Sequence, residues 1–197
     1  MEATFKGMST RQSITGFILA GGSSTRMGHD KALLDWHGRS LLEHMIGLVS
    51  SVAEPVHVVG RGQLPDSVSG RGPLSGIVTA LATSQTEANL VVAVDLPLLT
   101  KDFLKYLRSR LEISKQPLLA CKIGSHFPLC LGLGRTLLPE LEKRLSGGDL
   151  SIHEFIKRSD AELISEVDLR LAGFDASIFR NINTEEDYRI ALEQRHF

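Results

Sequence analysis

The sequence predicts an α/β protein in which a mostly parallel, twisted sheet is flanked by helices within a single domain. Strand and helix patterns alternate along the 197 residues, as in folds built from βαβ units. Hydrophobic residues make up 42% of the chain, which is typical of a globular protein with a sizeable core. Residues 90–94 are almost continuously apolar, as expected of a parallel strand that is buried on both faces.

Short apolar runs bounded by glycine, proline or polar residues mark the strands. The predicted strands are residues 16–19, 55–59, 90–94, 118–120, 129–133, 163–167 and 176–182. Residues 63–76 are rich in glycine, proline and serine, and are therefore predicted to form a loop. A helix is expected after this loop, at residues 77–82.

Capping patterns mark the starts of the other helices. Paired capping residues precede apolar periodic segments at Ser40 and Glu43, at Ser151 and Glu154, and at Thr184 and Asp187. Thr100 is a single candidate cap ahead of a helix with an apolar face, and Pro139 suits the first turn of another helix.

Composition limits the classes of function. The formal net charge is −1, so the chain has no overall positive field for nucleic acid or anionic lipid. Two cysteines nine positions apart, Cys121 and Cys130, do not match a zinc site and are expected to be buried or half-buried thiols in a reducing compartment. Residues 1–13 are polar and are expected to form a flexible tail, with the domain at residues 14–197. Because this tail lacks the apolar core of a signal peptide, a cytoplasmic protein is expected.

The strongest functional signal is the segment FILAGGSSTRMGHDK at residues 17–31. Gly21 and Gly22 have no Cβ, so backbone N–H groups can reach phosphate oxygens, and Arg26 and Lys31 place cations nearby. The spacing excludes a Walker A loop, because no Ser or Thr follows Lys31, and it excludes the dinucleotide fingerprint, because the two glycines are adjacent. A site for a nucleoside triphosphate is indicated, the alternative being a glycine-rich turn with two solvated cations.

Asp95 directly follows the buried strand at residues 90–94, in the sequence Asp-Leu-Pro. Ligands of open parallel sheets lie beyond the carboxyl ends of the strands, where the glycine turn also opens. A carboxylate there suits Mg²⁺, which takes one or two carboxylates together with phosphates and waters. The alternative is a loop-end aspartate that caps the helix after Thr100.

Two further segments are weaker candidates when taken alone. Residues 72–76, GPLSG, have small residues that let the backbone at Gly76 approach a flat ligand, although glycine and proline are also ordinary loop residues. Asp66 is by itself most simply a solvated loop acid.

Taken together, the chain resembles the molybdenum cofactor guanylyltransferase family, within the sugar-nucleotidyltransferase-like group. Residues 19–34, LAGGSSTRMGHDKALL, resemble the family signature almost letter for letter. The other matching segments, in the order expected for the family, are residues 66–77, residues 95–97 and the NINTEED segment at residues 181–187. The resemblance implies a Rossmann-like fold of the nucleotide-diphospho-sugar transferase type. One departure is Val59-Gly60-Arg61, where the family often has an asparagine near the nucleoside.

The resemblance also implies roles for individual residues, each by its position in this sequence. The nucleotide site would be lined by Leu19, Ala20, Gly21, Gly22, Asp66 and Gly76. Lys31 would contact the phosphates with Arg26, Asp95 would hold Mg²⁺ and the triphosphate, and Asn181 and Asn183 would lie toward the pterin.

The implied reaction is transfer of GMP from GTP to the terminal phosphate of molybdopterin or the molybdenum cofactor, with release of pyrophosphate. Transient contact with cofactor-delivery proteins is a further expectation. One alternative is a different enzyme of this fold, either a cytidylyltransferase that acts on the same pterin or another NTP transferase. A second alternative is a non-catalytic nucleotide-binding regulator. Such a regulator need not keep both Lys31 and Asp95, whereas an enzyme of this kind needs both.

Overall fold

The computed structural model of the chain describes residues 12–21, 30–61, 64 and 72–194, and within these residues six strands form one sheet. The strands are β1 (Ile14–Leu19), β2 (Val56–Val59), β3 (Ala88–Ala93), β4 (Leu118–Lys122), β5 (Cys130–Gly134) and β6 (Ala161–Ser165). Their order across the sheet is β2-β1-β3-β5-β4-β6. The pairs β1–β2, β1–β3 and β4–β6 are parallel, and β5 runs antiparallel to both of its neighbours. The carboxyl ends of the other five strands therefore lie at one edge of the sheet.

The described residues contain seven α-helices, of which the first five lie between strands and the last two follow β6. They are α1 (Leu41–Val49), α2 (Gly72–Thr83), α3 (Lys101–Ile113), α4 (Leu138–Ser146), α5 (Ile152–Arg158), α6 (Glu166–Leu171) and α7 (Glu185–Glu193). None of them has the length and apolar character needed to cross a bilayer.

Side chains that alternate along the central strands divide the core into two layers. On β1, Ile18 packs on one face of the sheet with residues of α1, α3 and α7, and Phe17 packs on the other face with residues of α2, α4 and α5. Every residue of β3 is buried, which confirms the expectation from its apolar sequence. The predicted α/β class with helices on both faces is confirmed.

The capping predictions agree with the observed helix starts. At Ser40 and Thr184 the side chain of the capping residue accepts a hydrogen bond from the backbone N–H of the acidic residue three positions later. The carboxylate of that acidic residue in turn accepts a hydrogen bond from the backbone N–H of the capping residue. Thr100 accepts from the backbone of Phe103, and Ser151 caps α5 through one bond. Each bond satisfies an N–H group that the first helical turn would otherwise leave without a partner.

Three local predictions were wrong. Residues 72–76 belong to α2 rather than to a loop, because Pro73 is tolerated in a first turn and Leu74, Ile77 and Leu81 form a buried face. Residues 163–167 do not form one strand, since β6 ends at Ser165 and α6 follows.

The third wrong prediction is the strand at residues 176–182, where the chain forms a short 3-10 helix, Ala176–Phe179. The Asp175 carboxylate accepts a hydrogen bond from Ser177 N at 2.8 Å and starts this turn. The apolar residues Phe179 and Ile182 are buried singly against the core, so the run is apolar without being a strand.

The predicted tail at residues 1–13 lies almost entirely outside the described residues, which begin at Gln12. Within those residues, β1 begins at Ile14, close to the predicted start of the domain.

Candidate active site

The turns that follow β1, β2 and β3 meet at the carboxyl edge of the sheet. Ala20 N donates to Val59 O at 2.9 Å, and Val94 N donates to Leu19 O at 3.0 Å. These bonds continue the strand pairing by one residue, and they align the backbone just before Gly21 with the backbone just before Asp95. The predicted edge of the sheet therefore carries both motifs.

Gly60, which follows β2, lies directly against Gly21. Its φ is +88°, in the left-handed region that glycine adopts without strain. A Cβ placed on Gly60 would lie 2.3 Å from Gly21 Cα, too close for any side chain. The turn after β2 is thus packed backbone to backbone against the first glycine of the predicted phosphate segment.

Asp95 lies in a cluster with Lys31 and the NINTEED segment. Lys31 Nζ is 3.8 Å from Asp95 Oδ2, and Asn181 Nδ2 donates to the same carboxylate oxygen at 3.4 Å. The backbone also holds this arrangement, because Ile182 N donates to Asp95 O at 2.9 Å. Lys31 Nζ in turn donates to Asn183 Oδ1 at 2.9 Å. Residues far apart in sequence therefore form one polar cluster at the sheet edge.

The Asp95 carboxylate is mostly buried, and its environment is unusual for an acid. Burial raises its pKa, and the nearby Lys31 ammonium and the Asn181 amide oppose that rise only in part. Oδ1 is buried and accepts no hydrogen bond from any described residue. A carboxylate oxygen without a donor has free lone pairs for a cation, and oxygen is the ligand that Mg²⁺ prefers.

Lys31 is held by the local structure that precedes it. The Asp30 carboxylate accepts from Ala32 N at 3.1 Å and starts the 3-10 turn Lys31–Leu33. Arg61, the residue after Gly60, donates from Nη2 to Asp30 Oδ1 and from Nε to Ala20 O, the latter at 2.9 Å. The hydrogen bond from Arg61 is the main reason that the pKa of Asp30 lies below its ordinary value.

Sequence reasoning did not assign a structural role to Arg61. Its position directly after the glycine that ends β2 was visible, and the departure from the family pattern at Val59-Gly60-Arg61 was the available signal. Its two hydrogen-bond partners were not predictable, because they lie about 30 and 40 residues away.

His44 on α1 is a second residue near the site that the sequence did not indicate. Arg39 Nη2 lies 2.9 Å from His44 Nδ1, and because a guanidinium can only donate, Nδ1 is the acceptor. His44 Nε2 therefore donates to Pro97 O, at 3.0 Å. This hydrogen bond links α1 to the turn that begins at Asp95.

The structure brings together most of the predicted site residues and leaves others undescribed. Leu19, Ala20, Gly21, Lys31, Asp95, Asn181 and Asn183 lie at or next to the edge of the sheet. Gly76 is buried inside α2 rather than exposed in a loop. The remaining three, Gly22, Arg26 and Asp66, lie outside the described residues.

Other metal-binding and nucleophilic groups are few in the described part of the chain. No three His, Cys, Asp or Glu side chains come together there as a metal cluster. Cys121 and Cys130 are buried free thiols, as expected, and burial raises the pKa of Cys121 to about 12. A thiol with so high a pKa is a poor nucleophile at neutral pH.

Comparison with known proteins places this chain in a family. A molybdenum cofactor guanylyltransferase from Syntrophotalea carbinolica is 30% identical over 182 residues, covering 87% of this chain and 87% of that protein. Another protein of that name, from Xanthomonas euvesicatoria, is 37% identical over 147 residues, covering 71% of this chain and 75% of that protein. The crystal structure of molybdopterin-guanine dinucleotide biosynthesis protein A from Archaeoglobus fulgidus has the same fold. The two structures superpose with a TM-score of 0.76 at 24% sequence identity, and the match covers 91% of this chain and 97% of the other chain.

The family model for the MobA-like NTP transferase domain matches residues 16–163, a range that runs from β1 to the middle of β6 and includes both Lys31 and Asp95. The chain is a nucleotidyltransferase and belongs to the MobA-like NTP transferase family.

Proposed function

We propose that this chain transfers GMP from GTP to the terminal phosphate of molybdopterin or of the molybdenum cofactor, forming the guanine dinucleotide cofactor and releasing pyrophosphate. The observation that carries the proposal is the cluster of Lys31, Asp95, Asn181 and Asn183 at the edge of the sheet beside Gly21. Family membership and the names of its relatives support the same reaction. Transient contact with delivery proteins and a cytoplasmic location remain predictions.

The proposed reaction makes one P–O bond and breaks another. An oxygen of the acceptor phosphate attacks the α-phosphorus of GTP, and the bond from that phosphorus to the bridging oxygen of the β-phosphate breaks. The electron pair leaves with pyrophosphate. Because the attacking phosphate is already an anion, no side chain has to remove a proton, and the protein contributes by positioning and charge neutralisation.

Lys31 places a positive charge beside Asp95 in the described part of this site. Its ammonium lies near both the Asp95 carboxylate and the Asn183 amide oxygen, which keeps the charge at the edge of the sheet. A cation there reduces the repulsion between the two phosphate substrates and stabilises charge on the leaving group. Arg26 is proposed to assist, as the sequence predicts.

Asp95 fits a Mg²⁺ ligand because its buried Oδ1 has no donor in the described residues. Mg²⁺ would supply a further positive charge that polarises the phosphates it contacts. The chain itself orients this carboxylate, through the Asn181 amide on Oδ2 and the Ile182 N–H on the backbone carbonyl.

The reaction is tested by incubating the protein with GTP, MgCl₂ and molybdopterin and analysing the pterin by mass spectrometry. A GMP adduct together with released pyrophosphate is expected. Parallel reactions with CTP and ATP test base preference, and a CMP adduct in place of the GMP adduct would identify a cytidylyltransferase. Nucleotide binding with no adduct from any of the three would identify a non-catalytic regulator.

The role of Lys31 is tested with Lys31→Ala, for which turnover is expected to fall by about 10²–10³, as when one electrostatic donor is removed from an active site. Lys105→Ala is the matched control, because Lys105 also pairs with an aspartate but does so on the exposed face of α3. Turnover by Lys31→Ala equal to that of the control would contradict the assignment.

A further inference from the structure

Arg61 forms hydrogen bonds with residues at both ends of the predicted phosphate-binding segment, residues 20–31, of which residues 20, 21, 30 and 31 are described. Its Nε donates to the carbonyl of Ala20, which directly precedes the glycine pair, and its Nη2 donates to the carboxylate of Asp30, which directly precedes Lys31. Ala20 and Asp30 are ten positions apart in sequence. One guanidinium therefore contacts both of these residues, which are the described residues on either side of the glycine pair and its loop.

The geometry of the guanidinium suits this task. Its N–H donors point in fixed directions within one plane, so two acceptors are held at a defined separation, whereas a lysine ammonium is a single point of contact. The Asp30 carboxylate also caps the turn that carries Lys31, through Ala32 N. A displacement of Asp30 would consequently be passed on to Lys31.

The backbone around Arg61 is fixed as well. Gly60 N donates to Leu64 O at 2.7 Å, and Leu64 N donates to Arg61 O at 3.3 Å. Gly60 itself lies against Gly21 with no space for a side chain. Arg61 therefore projects from a turn whose position relative to the first glycine is set by direct backbone packing.

We propose that Arg61 is a positioning residue for the triphosphate of the donor nucleotide, because it fixes Gly21 and Lys31 relative to each other. The inference rests on the proposed function for the identity of the donor, GTP. It assigns Arg61 to alignment of the donor and not to binding of the acceptor. Misplacing a reactive group by about 1 Å is enough to reduce a rate by as much as 10².

The test compares Arg61→Met with a matched control, Arg110→Met. Arg110 also makes a bond to a carboxylate, that of Glu162 at the start of β6, and a second bond, to the Tyr106 hydroxyl. The side chains of the Arg61–Asp30 pair are 30% and 34% exposed, and those of the Arg110–Glu162 pair are 32% and 24% exposed. The two substitutions therefore remove similar ion pairs, only one of which lies at the site.

Binding of GTP with Mg²⁺ is measured by calorimetry without acceptor, and KM and kcat are then measured for GTP and for molybdopterin. Arg61→Met is expected to weaken GTP binding and to raise the KM for GTP by about tenfold or more, with the KM for molybdopterin unchanged. Arg61→Lys should recover part of the GTP affinity, because it keeps the charge but cannot span both acceptors. Arg110→Met should bind GTP as the wild type does.

Two results would overturn the proposal. Equal GTP affinities for Arg61→Met and Arg110→Met would show that Arg61 contributes only to stability, and a change confined to the KM for molybdopterin would place it with the acceptor. If Arg61→Met does not fold, Arg61→Lys and Asp30→Asn decide the question, since both nearly keep the side-chain volume. Wild-type GTP affinity in both would overturn it.

These outcomes are separable from failure of the proposed function. A wild-type protein that binds GTP but forms no GMP adduct would refute the proposed reaction, and the comparison of Arg61 with Arg110 would still stand. A wild-type protein that binds no GTP in the presence of Mg²⁺ would refute both.

Discussion

Replacing Asp95 with asparagine is expected to stabilise the protein while it removes most of the activity. The pKa of Asp95 is raised, chiefly by burial, which means that the folded protein disfavours the charged carboxylate despite Lys31 and Asn181. Asparagine has nearly the same shape and no charge. Asp95→Asn therefore removes a group that opposes folding at neutral pH.

The magnitude follows from the environment of the carboxylate. The substitution removes a desolvated charge, a change on the scale of about 1–3 kcal/mol for a partly compensated buried group. The polar atom at the position of Oδ1 stays without a donor in both residues, so it contributes nothing to the difference. Loss of the attraction to Lys31, whose side chain is 19% exposed, offsets part of the gain. The expected net stabilisation is about 1 kcal/mol, which corresponds to an increase of about 2–4 °C in Tm for a chain of this size. Turnover is expected to fall by about 10²–10³.

The effect should depend on pH with a defined sign. Because the pKa of Asp95 is higher in the folded state than in the unfolded state, the folded protein binds more protons between the two values, and this contribution to stability falls as pH rises through that interval. Asp95→Asn lacks the contribution. The difference in Tm between the variant and the wild type should thus be positive at pH 8 and should shrink as the pH approaches 4.

Thermal unfolding at pH 8 and at lower pH, in buffer with EDTA, measures this difference. Asp102→Asn is the control, because Asp102 is exposed and its pKa is lowered by Lys105, so its replacement should leave Tm unchanged or lower it slightly. With Mg²⁺ and GTP at a hundredfold excess over Kd, the wild type should gain about 2.7 kcal/mol and the variant less. A variant that is less stable than the wild type at pH 8 without Mg²⁺ would refute the reasoning.

Two further substitutions test the geometry of the site. Gly60→Ala should lower the free energy of unfolding by about 2 kcal/mol or more in denaturant titrations, since its Cβ would lie 2.3 Å from Gly21 Cα at a φ of +88°. Gly148→Ala, at a φ of +78° with no atom within 4 Å of the added Cβ, isolates the backbone strain, and an equal loss in both variants would disprove the close contact. Asn183→Ala removes the hydrogen bond to Lys31 and should reduce kcat/KM, measured by steady-state kinetics, about tenfold. The free energy of unfolding should change by less than about 0.5 kcal/mol. An unchanged kcat/KM would show that this hydrogen bond does not contribute to catalysis.

The sequence predicted those features that depend on neighbouring residues. The helix starts at Ser40, Thr100 and Thr184 followed from caps that act within three residues, and the buried strand β3 followed from its continuous apolar run. By contrast, the helical state of residues 72–76 is decided by burial of Leu74 and its neighbours, which a local pattern of glycine and proline does not reveal.

Features that depend on distant residues were predicted less well. The antiparallel direction of β5 follows from a short connection to β4, and strand direction leaves no mark in the apolar pattern itself. The meeting of Lys31 with Asp95 was expected from the rule that ligands bind at the carboxyl edge of a parallel sheet. The hydrogen bonds from Asn181 to Asp95 and from Lys31 to Asn183 were not expected, because no local sequence pattern specifies such distant partners.

The pairing of Lys31 with Asn183, 152 positions later, has a consequence for biosynthesis. A nascent chain that has emerged from the ribosome only as far as Ser165 contains all six described strands but neither asparagine of the site. Asn181 and Asn183, which bond Asp95 and Lys31 in the folded protein, are still missing from such a chain. Assembly of the complete site therefore has to wait until residues 181–183 have been made.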